Sequence, residues 1–146
     1  MFTASQLVAH LVGDYLLQSD WMSSEKTKQN LAAYVHAMAY SLPFLFFTPS
    51  RLAWLFIVGT HFLIDRYRLA KYVCWAKNFL APRREISGRD VNGIMTIFSN
   101  VRNWPWHECQ TTGYGPDKPI WMSTWLLIIA DNTMHIICNG VALSYL

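Results

Sequence analysis

Histidine and aspartate residues recur at one spacing inside apolar stretches of this sequence. The pairs are His10 with Asp14, His61 with Asp65, and Asp131 with His135. The chain holds 5 histidines and 6 aspartates in 146 residues. Chance alone would place a histidine and an aspartate four residues apart about 0.4 times. Residues with this separation lie on one helix face, one turn apart, and can share a ligand. The spacing therefore predicts a functional centre built from imidazole and carboxylate groups.

The three aspartates are energetically costly in apolar helices. A carboxylate at the centre of a membrane helix costs about 2.5–3.5 kcal/mol, and the whole stability of a protein is only about 5–15 kcal/mol. We therefore expect these side chains to point inward and meet partners. Gln18 and Asn139 each continue one of the paired faces by a turn, and Tyr40 follows the isolated His36 by one turn. We predict that Gln18, Tyr40 and Asn139 support the centre by hydrogen bonds.

Imidazole and carboxylate groups are the ligands of Zn, Mn and Fe sites, and helix bundles build such sites from facing helices. The predicted ligands are His10, Asp14, His36, His61, Asp65, Asp131 and His135. Seven candidates indicate one or two divalent ions, whose identity the sequence leaves open. Such ions activate water, which predicts hydrolysis of a phosphoester or lipid-like substrate. Asp65 or Asp131 is predicted to act as the catalytic base.

Other interpretations of the same residues stay open. The pairs also suit structural hydrogen bonds, a proton or cation relay, or a non-enzymatic bacterial or phage factor that binds a host membrane protein. Arg66 and Arg68 directly follow Asp65. They suit capture of an anionic substrate headgroup, and equally the anchoring of basic side chains at a membrane boundary.

Composition indicates contact with a lipid bilayer. Hydrophobic residues make up 53% of the chain and charged residues 14%, against about 25% charged residues in soluble domains. The length fits one domain. The basic residues form no stripe with interleaved aromatic residues outside apolar segments, so we expect no nucleic-acid partner. The sequence does not indicate an oligomeric state.

The apolar segments predict an all-α integral membrane bundle with a polar insert at about 82–119 before the last helix. The predicted transmembrane helices cover about residues 3–22, 31–48, 52–80 and 120–146. Within the insert, Ile94, Ile97, Phe98 and Val101 follow a helical spacing, which predicts a short amphipathic helix. The expected location is the bacterial inner membrane.

Several stretches resemble a known family. They are A-H-L-V-G-D-Y-L-L-Q-S-D-W-M, H-A-M-A-Y-S-L-P-F, T-H-F-L-I-D-R-Y-R and W-L-L-I-I-A-D-N-T-M-H. Together they resemble the domain-of-unknown-function 3307 family, a small membrane family of bacteria and phages. The resemblance implies fold and topology but no established activity. T-H-F-L-I-D is also similar to an element of membrane-bound metal-dependent hydrolases, although their N-terminal His-Arg patch is absent here.

Overall fold

The structure, a computed structural model, describes residues 3–89 and 92–146. A first unit comprises Met1–Arg68 and Asn132–Leu146, and a second unit comprises Leu69–Asp131. The elements in chain order are α1 (Ala4–Leu11), a π-helical turn (Val12–Leu16), α2 (Asp20–Glu25), α3 (Asn30–Ser41), a 3₁₀ turn (Leu42–Phe47), α4 (Arg51–Tyr67), α5 (Leu69–Ala76), a 3₁₀ turn (Lys77–Leu80), β1 (Arg84–Arg89), β2 (Met95–Val101), α6 (Trp106–Cys109) and α7 (Ile120–Tyr145).

Local signals fix the ends of the helices in the first unit. Thr3 caps α1, because its hydroxyl accepts a hydrogen bond from the amide of Gln6 in a capping box. Ser50 caps α4 by accepting a hydrogen bond from the amide of Ala53 with its hydroxyl. α4 ends at Tyr67 because Arg68 adopts a left-handed conformation, with φ 50°. α3 gives way to a 3₁₀ turn next to Pro43, which has no amide hydrogen to donate.

The prediction of a bundle of about four membrane-spanning helices is wrong. A helix needs about 20 residues to cross a bilayer. The segment predicted at 3–22 breaks at the π-helical turn, the one at 31–48 ends its α-helix after 12 residues, and α4 has 17. Within residues 3–89 and 92–146, α7 alone combines the length and the apolar composition of a membrane span, with a hydropathy of 1.5.

The first unit packs around small and aromatic side chains. Ala33 and Ala37 of α3 are completely buried, so the backbone of a neighbouring element can approach this face closely. Tyr40, Phe44 and Ile57 are also completely buried and share one apolar cluster. The fully buried His36 lies on the same helix as the two alanines. The packed face of α3 therefore carries both apolar and ionisable groups.

The second unit corrects the prediction of an all-α fold. β1 and β2 pair antiparallel, with Ile86 opposite Phe98. The amphipathic helix predicted from Ile94 to Val101 is instead strand β2, because its β-branched and aromatic residues favour an extended chain. An Asn-Gly step lies between the strands, and Gly93 has φ 79°. That hairpin signal outweighs the helical spacing of the apolar residues.

Trp104 is the centre of the second unit. Its ring is almost completely buried, packs edge-on against Phe98, and shares a cluster with Ile86 and Cys109. The indole nitrogen donates a hydrogen bond to Oδ1 of Asp117 over 2.8 Å. A buried tryptophan needs such a partner for its polar edge. The polar insert is therefore a folded unit with its own core.

The π-helical turn depends on Gly13, which lies against the backbone of α3. A Cβ atom at this position would stand 2.5 Å from the carbonyl oxygen of Tyr40 and 2.9 Å from its ring. Backbone atoms cannot yield as a flexible side chain can. The glycine therefore permits the close approach of the turn that carries Asp14.

We predict that Gly13→Ala lowers the free energy of unfolding by about 1–3 kcal/mol, because the added methyl group overpacks this contact. Gly59→Ala is the matched control, since a Cβ at this helical glycine meets nothing within 4 Å, and we expect it to stabilise the protein by about 0.4–1 kcal/mol. The thermal midpoint of the purified full chain, followed by circular dichroism, reports both changes. Equal midpoints for the two variants would contradict the close contact at Gly13.

Candidate metal centre

Four buried donor groups of the first unit converge on one point. They are Asp14 in the π-helical turn, His36 on α3, and His61 and Asp65 on α4. One ligand atom from each lies within 4.8 Å of those of all the others. Their side chains are between 0% and 7% exposed. We call these four groups the donor cluster.

The imidazole of His36 is the most crowded member of the donor cluster. Its Nε2 atom lies 3.2 Å from Asp14 Oδ1, 3.1 Å from Asp65 Oδ2 and 3.0 Å from His61 Nε2. Lys26 Nζ is a further neighbour, at 3.2 Å. An imidazole nitrogen offers either one hydrogen or one lone pair. Hydrogen bonding alone therefore cannot satisfy all of these contacts at once.

Three of the distances match the edges of a metal coordination polyhedron. His36 Nε2, His61 Nε2 and Asp65 Oδ2 are separated by 3.0, 3.1 and 3.2 Å. Metal–ligand bonds of about 2.0–2.1 Å in a tetrahedron place neighbouring ligands about 3.3 Å apart. The two imidazoles and the carboxylate thus already have the spacing of three ligands of one ion.

Aromatic packing holds the His61 ring in this orientation. The ring of Tyr40 stacks on it with centroids 3.6 Å apart and an interplanar angle of 14°. The ring of His135 is a second neighbour of His61, with ring centroids 4.3 Å apart and an interplanar angle of 44°. Nδ1 of His36 and Nδ1 of His61 are buried without a hydrogen-bond partner. Metal-binding histidines usually donate the N–H of their second ring nitrogen to an acceptor, which orients the ring. Here aromatic packing orients His61 instead.

Lys26 supplies the positive charge of the donor cluster. Its ammonium lies 2.8 Å from Asp65 Oδ2 and 3.7 Å from Asp14 Oδ1. Its side chain is 17% exposed, more than any member of the cluster. The sequence indicated for Lys26 only the interpretations given to Arg66 and Arg68, and did not place it in the buried centre, because it lies in a polar connector and not in an apolar segment. The signal that was available is the need of two buried carboxylates for a cation.

The two carboxyl groups are held in the charged form. Burial would raise the pKa of Asp14, but the hydrogen bond from His36 and the charge of Lys26 outweigh it and lower that pKa to about 2. Burial would likewise raise the pKa of Asp65, yet His61 and the hydrogen bond from His36 hold it well below its usual range. The cluster therefore presents two carboxylates to any cation at neutral pH.

The pKa values of the two imidazoles are shifted in opposite directions. Burial would lower the pKa of His36, but its hydrogen bonds to Asp14 and Asp65 raise it overall. Burial is the dominant influence on His61 and lowers its pKa. Neutral imidazole is the form that binds a metal ion. His61 is therefore the histidine more easily available as a ligand.

His10 lies in a separate hydrogen-bonded chain instead of the donor cluster. Asn139 Nδ2 donates to the hydroxyl of Tyr40 over 2.6 Å, and that hydroxyl lies 2.8 Å from His10 Nδ1. His10 Nε2 lies 2.6 Å from Asn132 Oδ1, which can only accept. Each group then has a defined donor or acceptor role. These hydrogen bonds occupy both ring nitrogens of His10.

The π-helical turn explains why His10 and Asp14 separate. Their spacing places them on one face only if the α-helix continues. The helix instead widens at Val12–Leu16, with Asp14 inside the wider turn. His10 then meets Tyr40 while Asp14 meets His36. A shared ligand for this pair is not what the structure shows.

The remaining predicted residues surround the donor cluster or lie outside it. His135 Nε2 is 3.7 Å from Asp65 Oδ1. Gln18 is half-buried, and its Oε1 atom has no hydrogen-bond partner. Asp131 is half-buried on α7 and is the last residue of the second unit. Its predicted roles as ligand and base stay predictions, as does a second metal ion.

Arg66 is engaged in holding the connection between α2 and α3. Its guanidinium donates to Asn30 Oδ1 and to the carbonyl of Thr27, both over 2.7 Å, and to the carbonyl of Lys28 over 3.2 Å. These bonds fix the backbone just after Lys26. Arg68 is the half-buried residue that ends α4. An anionic substrate at either arginine stays a prediction.

Comparison with known proteins gives one family. The sequence profile of a family described as protein of unknown function (DUF3307) matches residues 2–85. No curated protein and no solved structure matches the chain, so the similarity to membrane-bound hydrolases is not supported. The matched region is more than half of the 146 residues and contains the whole donor cluster and Lys26. The chain therefore belongs to the DUF3307 family.

Proposed function

We propose that the donor cluster binds one divalent metal ion and that the resulting centre hydrolyses a phosphoester or a lipid-like ester. The observation that carries the proposal is the mutual spacing of 3.0–3.2 Å among His36 Nε2, His61 Nε2 and Asp65 Oδ2. Two imidazoles and one carboxylate leave positions open for water and substrate, as in catalytic rather than structural sites. Zn, Mn and Fe ions all accept this donor set.

The carboxylate of Asp14 is the group placed to orient a water molecule bound to the metal ion. Its Oδ1 atom contacts the imidazole of His36 but is not, like Asp65, within about 3 Å of both imidazoles. Its pKa of about 2 keeps it ionised. A bound divalent ion would supply Lewis acidity and a water of lowered pKa. Asp14 Oδ1 would accept a hydrogen bond from that water and orient it. Asp65, which was predicted as a base, would serve as a ligand.

The wall of the centre favours chemistry that excludes bulk water. The completely buried Tyr40 stacks on His61 of the donor cluster, whereas Lys26, which also contacts the cluster, is 17% exposed. An anionic substrate would approach from the side of Lys26, because this residue carries a positive charge in contact with the cluster. A phosphoester is the substrate class that combines negative charge with hydrolysis by a divalent ion.

We also propose that α7 anchors the protein in a membrane, with the bacterial inner membrane as the expected location. Only 22% of its most apolar window is buried inside the protein, whereas the core helix of a soluble protein would be mostly buried. The first unit exposes further apolar side chains, such as Leu16 (77%) and Phe46 (91%). Surfaces of this kind mark contact with lipid or with a partner. A lipid-like substrate would reach the protein in the same membrane.

The first test is metal content and hydrolysis of the purified full chain. Dialysed against Mn²⁺ or Zn²⁺, the wild type should hold about one ion per chain and hydrolyse bis(p-nitrophenyl) phosphate. His61→Ala should weaken metal binding by at least about tenfold, because it removes one of the three ligands. Asp14→Asn should retain the ion but lower kcat by about 10²–10⁴-fold, because it removes the carboxylate that orients water. Elemental analysis and the release of nitrophenolate measure the two effects.

His107→Ala is the control in this experiment, since the His107 side chain is 69% exposed in the second unit. It should change neither metal content nor hydrolysis. Wild-type protein that retains no ion after dialysis would reject the metal centre. Metal binding that persists unchanged in His61→Ala would assign the ion to another place.

The second test concerns the membrane anchor. Ile129 lies near the middle of α7 and is 59% exposed, and Ile97 of β2 has the same exposure. Ile129→Arg should release part of the protein from cell membranes at alkaline pH, because an arginine at the centre of a membrane helix costs about 2.5–3.5 kcal/mol. Ile97→Arg should remain with the membranes, as the wild type does. Release of the wild type by alkaline extraction would contradict the anchor.

A further inference from the structure

We infer that Lys26 is an internal cation of the donor cluster, which a divalent metal ion must displace and which then stands at the substrate side of the centre. The inference rests on the proposed metal centre. It assigns Lys26 two functions that follow from one movement. In the metal-free protein the ammonium neutralises the carboxylates, and in the metal-bound protein it is released to bind an anionic substrate.

The contacts of Lys26 are those expected of a cation that stands in for a metal ion. Nζ lies 2.8 Å from Asp65 Oδ2, 3.2 Å from His36 Nε2 and 3.7 Å from Asp14 Oδ1. Three of the four groups of the donor cluster therefore contact the ammonium directly. A metal ion bound to the same oxygen of Asp65 and the same nitrogen of His36 would lie beside Nζ.

Both cations cannot keep these positions. Two positive charges a few ångströms apart inside a protein repel strongly. A metal ion would need the lone pair of His36 Nε2, and the ammonium lies only 3.2 Å from that nitrogen. Loading of the centre therefore requires the ammonium of Lys26 to leave Asp65 and His36.

The local structure permits this movement in the side chain alone. Lys26 is the C-terminal cap of the short helix α2, and its side chain is already 17% exposed. Its flexible four-carbon stem can reorient toward water. The backbone that follows is held by Arg66, which bonds the carbonyls of Thr27 and Lys28. The anchored backbone would keep the released ammonium close to the centre.

Charge accounting supports the exchange. Asp14 and Asp65 carry two negative charges, of which the ammonium neutralises one. A divalent ion neutralises both. The exchange then moves the positive charge of Lys26 away from these two carboxylates and toward solvent. A phosphoester anion is a suitable partner for that charge.

Chemical labelling of the wild type tests the movement directly. The full chain is treated with an amine-acetylating reagent, with and without saturating Mn²⁺, and labelled lysines are quantified by tandem mass spectrometry. Lys26 should be protected without metal and become labelled at least severalfold faster with it. Lys28 is the internal control, because its side chain is 65% exposed and should react equally in both samples.

Lys26→Met supplies an independent measurement. It keeps an unbranched, flexible side chain and removes the competing ammonium, so it should bind Mn²⁺ at least about tenfold more tightly than wild type. It should also raise KM for bis(p-nitrophenyl) phosphate, because the anion loses its charged partner. Lys28→Met should change neither quantity.

The outcomes separate this inference from the proposed function. Absence of bound Mn²⁺ in both wild type and Lys26→Met would reject the metal centre itself. Metal binding of equal affinity in both proteins, with Lys26 protected throughout, would preserve the metal centre and overturn the role of Lys26. Weaker binding of Mn²⁺ by Lys26→Met would also overturn it, because the removal of a competing cation cannot lower the affinity for the metal ion.

Discussion

The first unit is organised around one electrostatic constraint, the presence of two ionised carboxylates in its interior. Asp14 and Asp65 are almost completely buried, and both remain charged because cationic and hydrogen-bonding groups face them. Removing such charges from water costs several kcal/mol for each ion, so their partners must be close and well oriented. Lys26 and His36 meet this requirement in the structure. A divalent ion would meet it more completely, since it carries the charge that balances both carboxylates.

The surrounding elements can be understood as the means of bringing these groups together. Gly13 lets the π-helical turn approach α3 closely enough for Asp14 to contact His36. Tyr40 orients the ring of His61 by stacking and at the same time links to His10 through its hydroxyl. The polar chain beside the cluster therefore has a positioning function and does not compete for the carboxylates. Because packed side chains resist reorientation, the donor atoms keep their spacing of 3.0–3.2 Å.

The amino-acid sequence predicts some of this arrangement and not the rest, for identifiable reasons. His61 and Asp65 lie on an uninterrupted α-helix, so their spacing correctly brings them together. The same spacing misleads for His10 and Asp14, because a π-helical turn intervenes, and the contact of that turn with α3 at Gly13 is a tertiary contact. Lengths of apolar segments failed as evidence for membrane spans, since caps and breaks shorten the helices in the first unit. The apolar residues of β2 fit both periodicities, and the Asn-Gly step near them was the stronger signal.

The most direct measurement of the central claim is X-ray absorption at the zinc edge of the Zn²⁺-loaded full chain. The account predicts multiple-scattering signals from two imidazoles, with nitrogen and oxygen ligands at about 2.0–2.2 Å. It further predicts that one imidazole signal disappears in His61→Ala. A spectrum with oxygen ligands only, or an unchanged imidazole signal in that variant, would show that zinc binds elsewhere and that the buried carboxylates are balanced by Lys26 and His36 alone.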